Sequence, residues 1–94
     1  MKQKVEAVKV ELQRVFPDAA LEYRFSEDLH KFRINIGMGA HWVIIGRETL
    51  DDHDIEGLRS LLNDYEVLRT LKESSFSRRI LLTRQGATDQ PIPR

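Results

Sequence analysis

The side chains with the most chemical potential in this sequence crowd into one stretch: Glu48, Asp51, Asp52, His53, Asp54 and Glu56. Carboxylates beside an imidazole are the donor set of a divalent-metal site, and a metal-dependent enzyme would place its centre here. The spacing points elsewhere. A calcium loop alternates its ligands around a central glycine and ends on a distal glutamate, an order this stretch lacks. At the start of a helix, residues 51–54 would point in four directions, where acids cap free amides and complement the helix dipole. Helix capping is therefore the preferred reading of the 48–56 segment, and the metal-dependent enzyme is the least favoured alternative. No catalytic residue, cofactor or metal site is expected.

The three histidines, His30, His41 and His53, fall in separate segments, and no serine or threonine sits in a nucleophile-elbow context. His30 reads as a turn residue. His41 reads as a surface histidine, with a pH-sensitive contact as its functional alternative. Gly37–Met38–Gly39 contains the GxG pattern of phosphate loops, but such loops lead into a helix whose first amides meet the anion. Here a strand pattern follows. One patch joins basic and aromatic character: Arg24, Lys31, Arg33 and Trp42. On an open sheet face it would suit single-stranded nucleic acid, which is held by cations along the backbone and aromatic stacking on the bases. The competing structural reading has Trp42 covered and Arg33 paired with an acid from 48–56.

The elements that would position these residues are legible from periodicity. Leu21, Tyr23 and Phe25 alternate with Glu22, Arg24 and Ser26, and Phe32, Ile34 and Ile36 alternate with Lys31, Arg33 and Asn35. Period-two alternation predicts two strands with one buried and one wet face. A turn around Glu27–His30 pairs Phe25 with Phe32, Tyr23 with Ile34 and Leu21 with Ile36. It also sets Arg24 opposite Arg33, an unfavourable pair unless something anionic neutralises it.

The third strand, His41–Gly46, is different, because Trp42, Val43, Ile44 and Ile45 are consecutive. With Met38–Gly39 as the loop, Val43 and Ile45 share the buried face, while Trp42 and Ile44 join Arg33 and Asn35 on the other. A strand apolar on both sides is ordinarily buried on both sides. A second face needing cover motivates the principal functional expectation, a non-enzymatic protein-interaction module that self-associates as a homodimer. Its surface would comprise Arg24, Lys31, Arg33, Trp42 and Ile44, with single-stranded nucleic acid as the alternative ligand.

Before the strands, Val5, Val8, Leu12, Val15 and Phe16 form a helical stripe over residues 2–16, stopped by Pro17. After them, Ile55, Leu58, Leu61, Leu62, Tyr65, Leu68 and Leu71 predict helices over about 52–63 and 64–73, or one kinked helix. Gly57 inside the first costs about 1 kcal/mol relative to alanine. Ile80–Leu82 mark a fourth strand, 78–83, adding at an edge or crossing to a partner. Residues 85–94, QGATDQPIPR, read as a flexible tail. The order helix–strand–strand–strand–helix is similar to that of double-stranded-RNA-binding domains. Those domains carry lysines at the start of the second helix, where this chain has Asp51–Asp52–His53–Asp54, so the likeness argues against duplex RNA. Small secretion-type chaperones and dimeric adaptors combine similar elements.

Composition sets the bounds. Ninety-four residues with 40% hydrophobic and 32% charged side chains suit one folded domain. The absence of cysteine excludes disulfides and thiolate metal sites and suits a cytoplasmic protein; no apolar run reaches membrane-spanning length. Net charge is zero but uneven: residues 48–77 hold eight acids against three bases, and residues 78–94 hold four bases against one acid. The expected fold is α+β. It has an antiparallel sheet of three to four strands, in the order α-β-β-β-α-(α)-β, with helices mainly on one face of a single domain spanning 1–84.

Overall fold

The computed structural model describes residues 2–36, 39–64, 67–73, 77–83 and 86–91. The elements run α1 (Lys2–Val15), β1 (Ala20–Ser26), β2 (Leu29–Ile36), β3 (Gly39–Gly46), α2 (Arg47–Asp52), α3 (Ile55–Asp64), α4 (Val67–Glu73), β4 (Arg78–Thr83) and β5 (Gly86–Pro91). The α+β class and the leading helix are as expected. The sheet differs: it has five strands in sequence order, and β3 pairs with β4 in parallel while the other neighbours are antiparallel. A parallel pair needs a long crossover, and α2, α3 and α4 supply it. The fourth strand is thus interior. Residues 86–91, assigned by the sequence to a tail, form the outer strand β5. The turn residues Gly37 and Met38, Tyr65 of the helical stripe, the Ser74–Ser75 loop, Phe76, Arg84, and the tail positions 85 and 92–94 lie outside the described residues.

One hydrophobic core joins the helices to a single sheet face. Val5, Val8 and Leu12 of α1 meet Phe32, Ile34, Val43, Ile45, Ile80 and Leu82 of the sheet, together with Leu50, Leu58, Leu62, Leu68 and Leu71 from α2 to α4. The 3–4 spacing of the helical residues and the spacing of two in the strands bring these side chains to one layer. No described helix is long and apolar enough to cross a membrane.

Local chemistry explains the boundaries. Gln13 Nε2 lies 2.9–3.1 Å from the carbonyls of Phe16, Pro17 and Ala19, past the end of α1, tying the connection into β1 back to the helix. The acidic stretch is divided by α2, which the sequence did not announce. Asp51 and Asp52 lie at the C-terminal end of α2, the unfavourable end for an anion. Lys4 Nζ offsets this by donating to the Leu50 and Asp51 carbonyls at 3.1 and 3.0 Å, and the His53 Nδ1–H donates to the Thr49 carbonyl at 2.7 Å. Asp54 caps a helix as expected: its Oδ1 accepts the Gly57 amide at 2.7 Å at the start of α3. A β-carbon at Gly57 would sit 3.0 Å from that oxygen, so glycine permits the tight cap.

The strand register differs from the expected one by two residues, which keeps every side chain on its predicted face. The first turn is the two-residue Glu27–Asp28, with φ of 57° and 60°, so Tyr23 pairs with Phe32, Leu21 with Ile34 and Phe25 with His30. Positive φ at both central positions is the type I′ hairpin turn, which favours Asn–Gly. Replacing Glu27–Asp28 by Asn–Gly is expected to raise the unfolding free energy by about 1 kcal/mol in urea titrations. The lost Asp28–Arg47 surface pair, 3.4 Å apart, contributes little against this. A lowered denaturation midpoint would contradict the turn geometry.

Candidate functional site

The sheet face opposite the helices is built from alternate residues: Glu22 and Arg24 of β1, Lys31, Arg33 and Asn35 of β2, Trp42 and Ile44 of β3, and Arg79 and Leu81 of β4. The buried apolar side chains of the described helices all join the core on the other face. Every sequence-predicted surface residue, Arg24, Lys31, Arg33, Trp42 and Ile44, is therefore on one face. The structure adds Arg79, which stands beside Trp42 in the parallel register and was invisible without knowing that β4 pairs with β3. Trp42 thus lies between Arg33 on β2 and Arg79 on β4.

Ile44 takes a different place from the one expected. It is only 6% exposed, with Lys31 and Leu81 as its register neighbours and Trp42 on the same face. It is therefore already covered within the protomer, so the apolar content of β3 does not by itself demand a partner. Trp42 remains half-buried, and the Arg33 guanidinium lies 5.7 Å from its ring centre, within cation–π range. A depression of about 410 Å³ is lined by Glu22, Tyr23, Arg24, Lys31, Arg33 and Trp42.

The charges on this face are unevenly matched. Arg33 pairs with Glu22 at 3.5 Å, its cross-strand neighbour, rather than with an acid of 48–56 or opposite Arg24. Arg24 instead stands directly opposite Lys31, and among the described residues neither makes an ion pair. Like charges so placed are destabilising unless an anion lies between them. The acids of 48–56 serve the helical layer instead: Asp54 caps α3, and Glu56 pairs with Arg59 at 2.9 Å. No three potential metal ligands come together among the described residues.

His30 and His41 are on the core face, not in a turn or at the surface. His30 is 2% exposed, beside the Phe25 ring, with Nδ1 2.7 Å from the Tyr23 hydroxyl and Nε2 buried without a partner. His41 is also buried, and its Nδ1 accepts the Arg78 amide at 3.1 Å. Burial pushes both imidazoles below the ordinary histidine value of 6.5; Asp51 partly opposes this at His30, and Arg78 adds to it at His41. The unfolded chain therefore takes up more protons as pH falls through about 6.5, so stability, full above that value, declines on acidification. Thermal melts from about pH 7.5 to about pH 5 should show this fall, and His30→Phe should make it shallower. A melting temperature that rises on acidification would contradict buried neutral imidazoles.

Comparison with protein-family models, curated proteins and solved structures finds no match for this chain, so a functional reading rests on the chemistry of the face itself.

Proposed function

We propose that this protein is a non-enzymatic binding module that takes single-stranded nucleic acid on the open face of its sheet, in the cytoplasm. The opposed pair Arg24 and Lys31, neither of them ion-paired among the described residues, carries the reading. Two cations held opposite each other without a counterion form a site for an anion. Arg33, Trp42 and Arg79 extend it along β2 and onto β3 and β4. A flexible polyanion can follow such a line, and the guanidinium and indole planes are surfaces on which bases stack. The helical segments carry the opposite charge, with eight acids against three bases in 48–77. That polarity steers an anionic strand toward the sheet.

Self-association through the same face is the weaker alternative. A two-fold contact between open faces would set the basic cluster of one protomer near that of its partner, and like-charge juxtaposition disfavours such pairing.

Fluorescence anisotropy with a labelled single-stranded oligonucleotide at low salt tests the proposal. Binding should weaken as salt rises, with a log–log slope of about −2 to −3 for three to four phosphate contacts. Trp42→Ala should weaken binding by about 5- to 100-fold, the range of one lost stacking platform. Arg24→Glu with Arg33→Glu should weaken it further. Absence of binding at low salt, or equal affinity for polyglutamate, would overturn the proposal.

A further inference from the structure

We infer that the free edge of β1 pairs with β1 of a second copy, making a homodimer with one continuous ten-stranded sheet. The inference requires no nucleic-acid ligand; in the dimer Arg24 meets Glu22 of the partner subunit, and Lys31, Arg33 and Arg79 remain the cations of the open face. β1 is an outer strand of the sheet. It contains neither proline nor glycine, whereas β5 at the other edge carries Pro91, which has no amide to offer.

The hairpin fixes which groups the edge presents. The two-residue type I′ turn at Glu27–Asp28 is closed by the Ser26–Leu29 pair. In antiparallel pairing, hydrogen-bonded and non-bonded positions alternate. The main-chain groups of Ala20, Glu22, Arg24 and Ser26 therefore turn toward β2. Those of Leu21, Tyr23 and Phe25 turn toward the free edge.

Three two-fold registers would pair different outward residues across the axis. Centring on Glu22 opposes Glu22 with its own copy, and centring on Arg24 opposes Arg24 with its own copy; both set like charges face to face. Centring on Tyr23 places Glu22 of one protomer opposite Arg24 of its partner, twice. It also places Leu21 opposite Phe25, twice, and joins all three outward residues of each strand in main-chain pairs. Only this register is complementary in charge, apolar contact and hydrogen bonding. It gives an acid to Arg24, which makes no ion pair among the described residues of its own protomer, and it covers Phe25, which is 48% exposed on the core face. Lys9, 5.6 Å from the Tyr23 ring centre, keeps Glu6 as its ion partner at 3.6 Å, so the axis gathers no unneutralised ammonium from α1.

Sedimentation velocity of the full chain, without nucleic acid and at micromolar concentration, is expected to show a dimer. Arg24→Glu sets a second carboxylate against Glu22 of the partner subunit and should weaken dimerisation at least about tenfold. The same substitution places an acid opposite Lys31, so it should leave the fold at least as stable. Glu22→Arg should likewise yield monomer. Mixing the two single variants in equal amounts should restore a dimer, as should the double variant E22R/R24E. Should E22R lose its fold, R24E and the double variant decide the question. A monomeric wild type, dimers that survive R24E, or failure of the double variant to recover the dimer would each overturn the assignment.

Discussion

The structure depends on β3, the middle strand, being apolar on both sides. Val43 and Ile45 are fully buried against the helices, and Ile44 is buried on the opposite side. The strand accepts antiparallel β2 on one side and parallel β4 on the other, so both halves of the chain register against it. Full burial of an isoleucine or valine side chain is worth about 1.5–3 kcal/mol, a large share of the stability of a domain this small. The crossover α2–α4 follows from this arrangement: once β4 runs parallel to β3, the intervening segment must return along the sheet, and its leucines cover the face that α1 leaves open.

The same arrangement sorts charge. A helix-covered face has no room for Arg24, Lys31, Arg33 or Arg79, so the pleat sends them all to the other side. The acids gather on the helices, where Asp54 caps α3 and Lys4 neutralises the end of α2. A chain with zero net charge therefore has a basic sheet and an acidic helical segment. Charge in this protein is informative by position, and the total conceals it.

Period-two alternation made the faces of β1 and β2 legible, and the candidate surface with them, because a register error of two residues leaves faces unchanged. The turn length was not legible: Glu27 and Asp28 adopt positive φ without the glycine or asparagine that ordinarily marks such a turn. β5 escaped notice because Gly86–Pro91 has no apolar alternation; its pairing with β4 is a tertiary effect. Arg79 escaped for a related reason, since parallel pairing leaves no local signal. His30 was misplaced because a two-residue turn ends at Asp28, which moves position 30 into the strand and toward the core. The acids at 51–52 read as a helix start, and they lie instead at the end of a six-residue helix too short to show a periodicity.

The central claim is that Trp42 stands on a cationic sheet face that no described helix covers. Trp42 is the chain's one tryptophan, so its fluorescence reports that face alone. Quenching by iodide and by caesium, compared at equal ionic strength, tests the claim most directly. A positive local potential concentrates the anion and repels the cation. The account predicts that iodide quenches Trp42 several-fold more strongly than caesium when each is referred to its quenching of free N-acetyltryptophanamide, and that added salt narrows the difference. Equal relative quenching by the two ions, or protection from both, would contradict it.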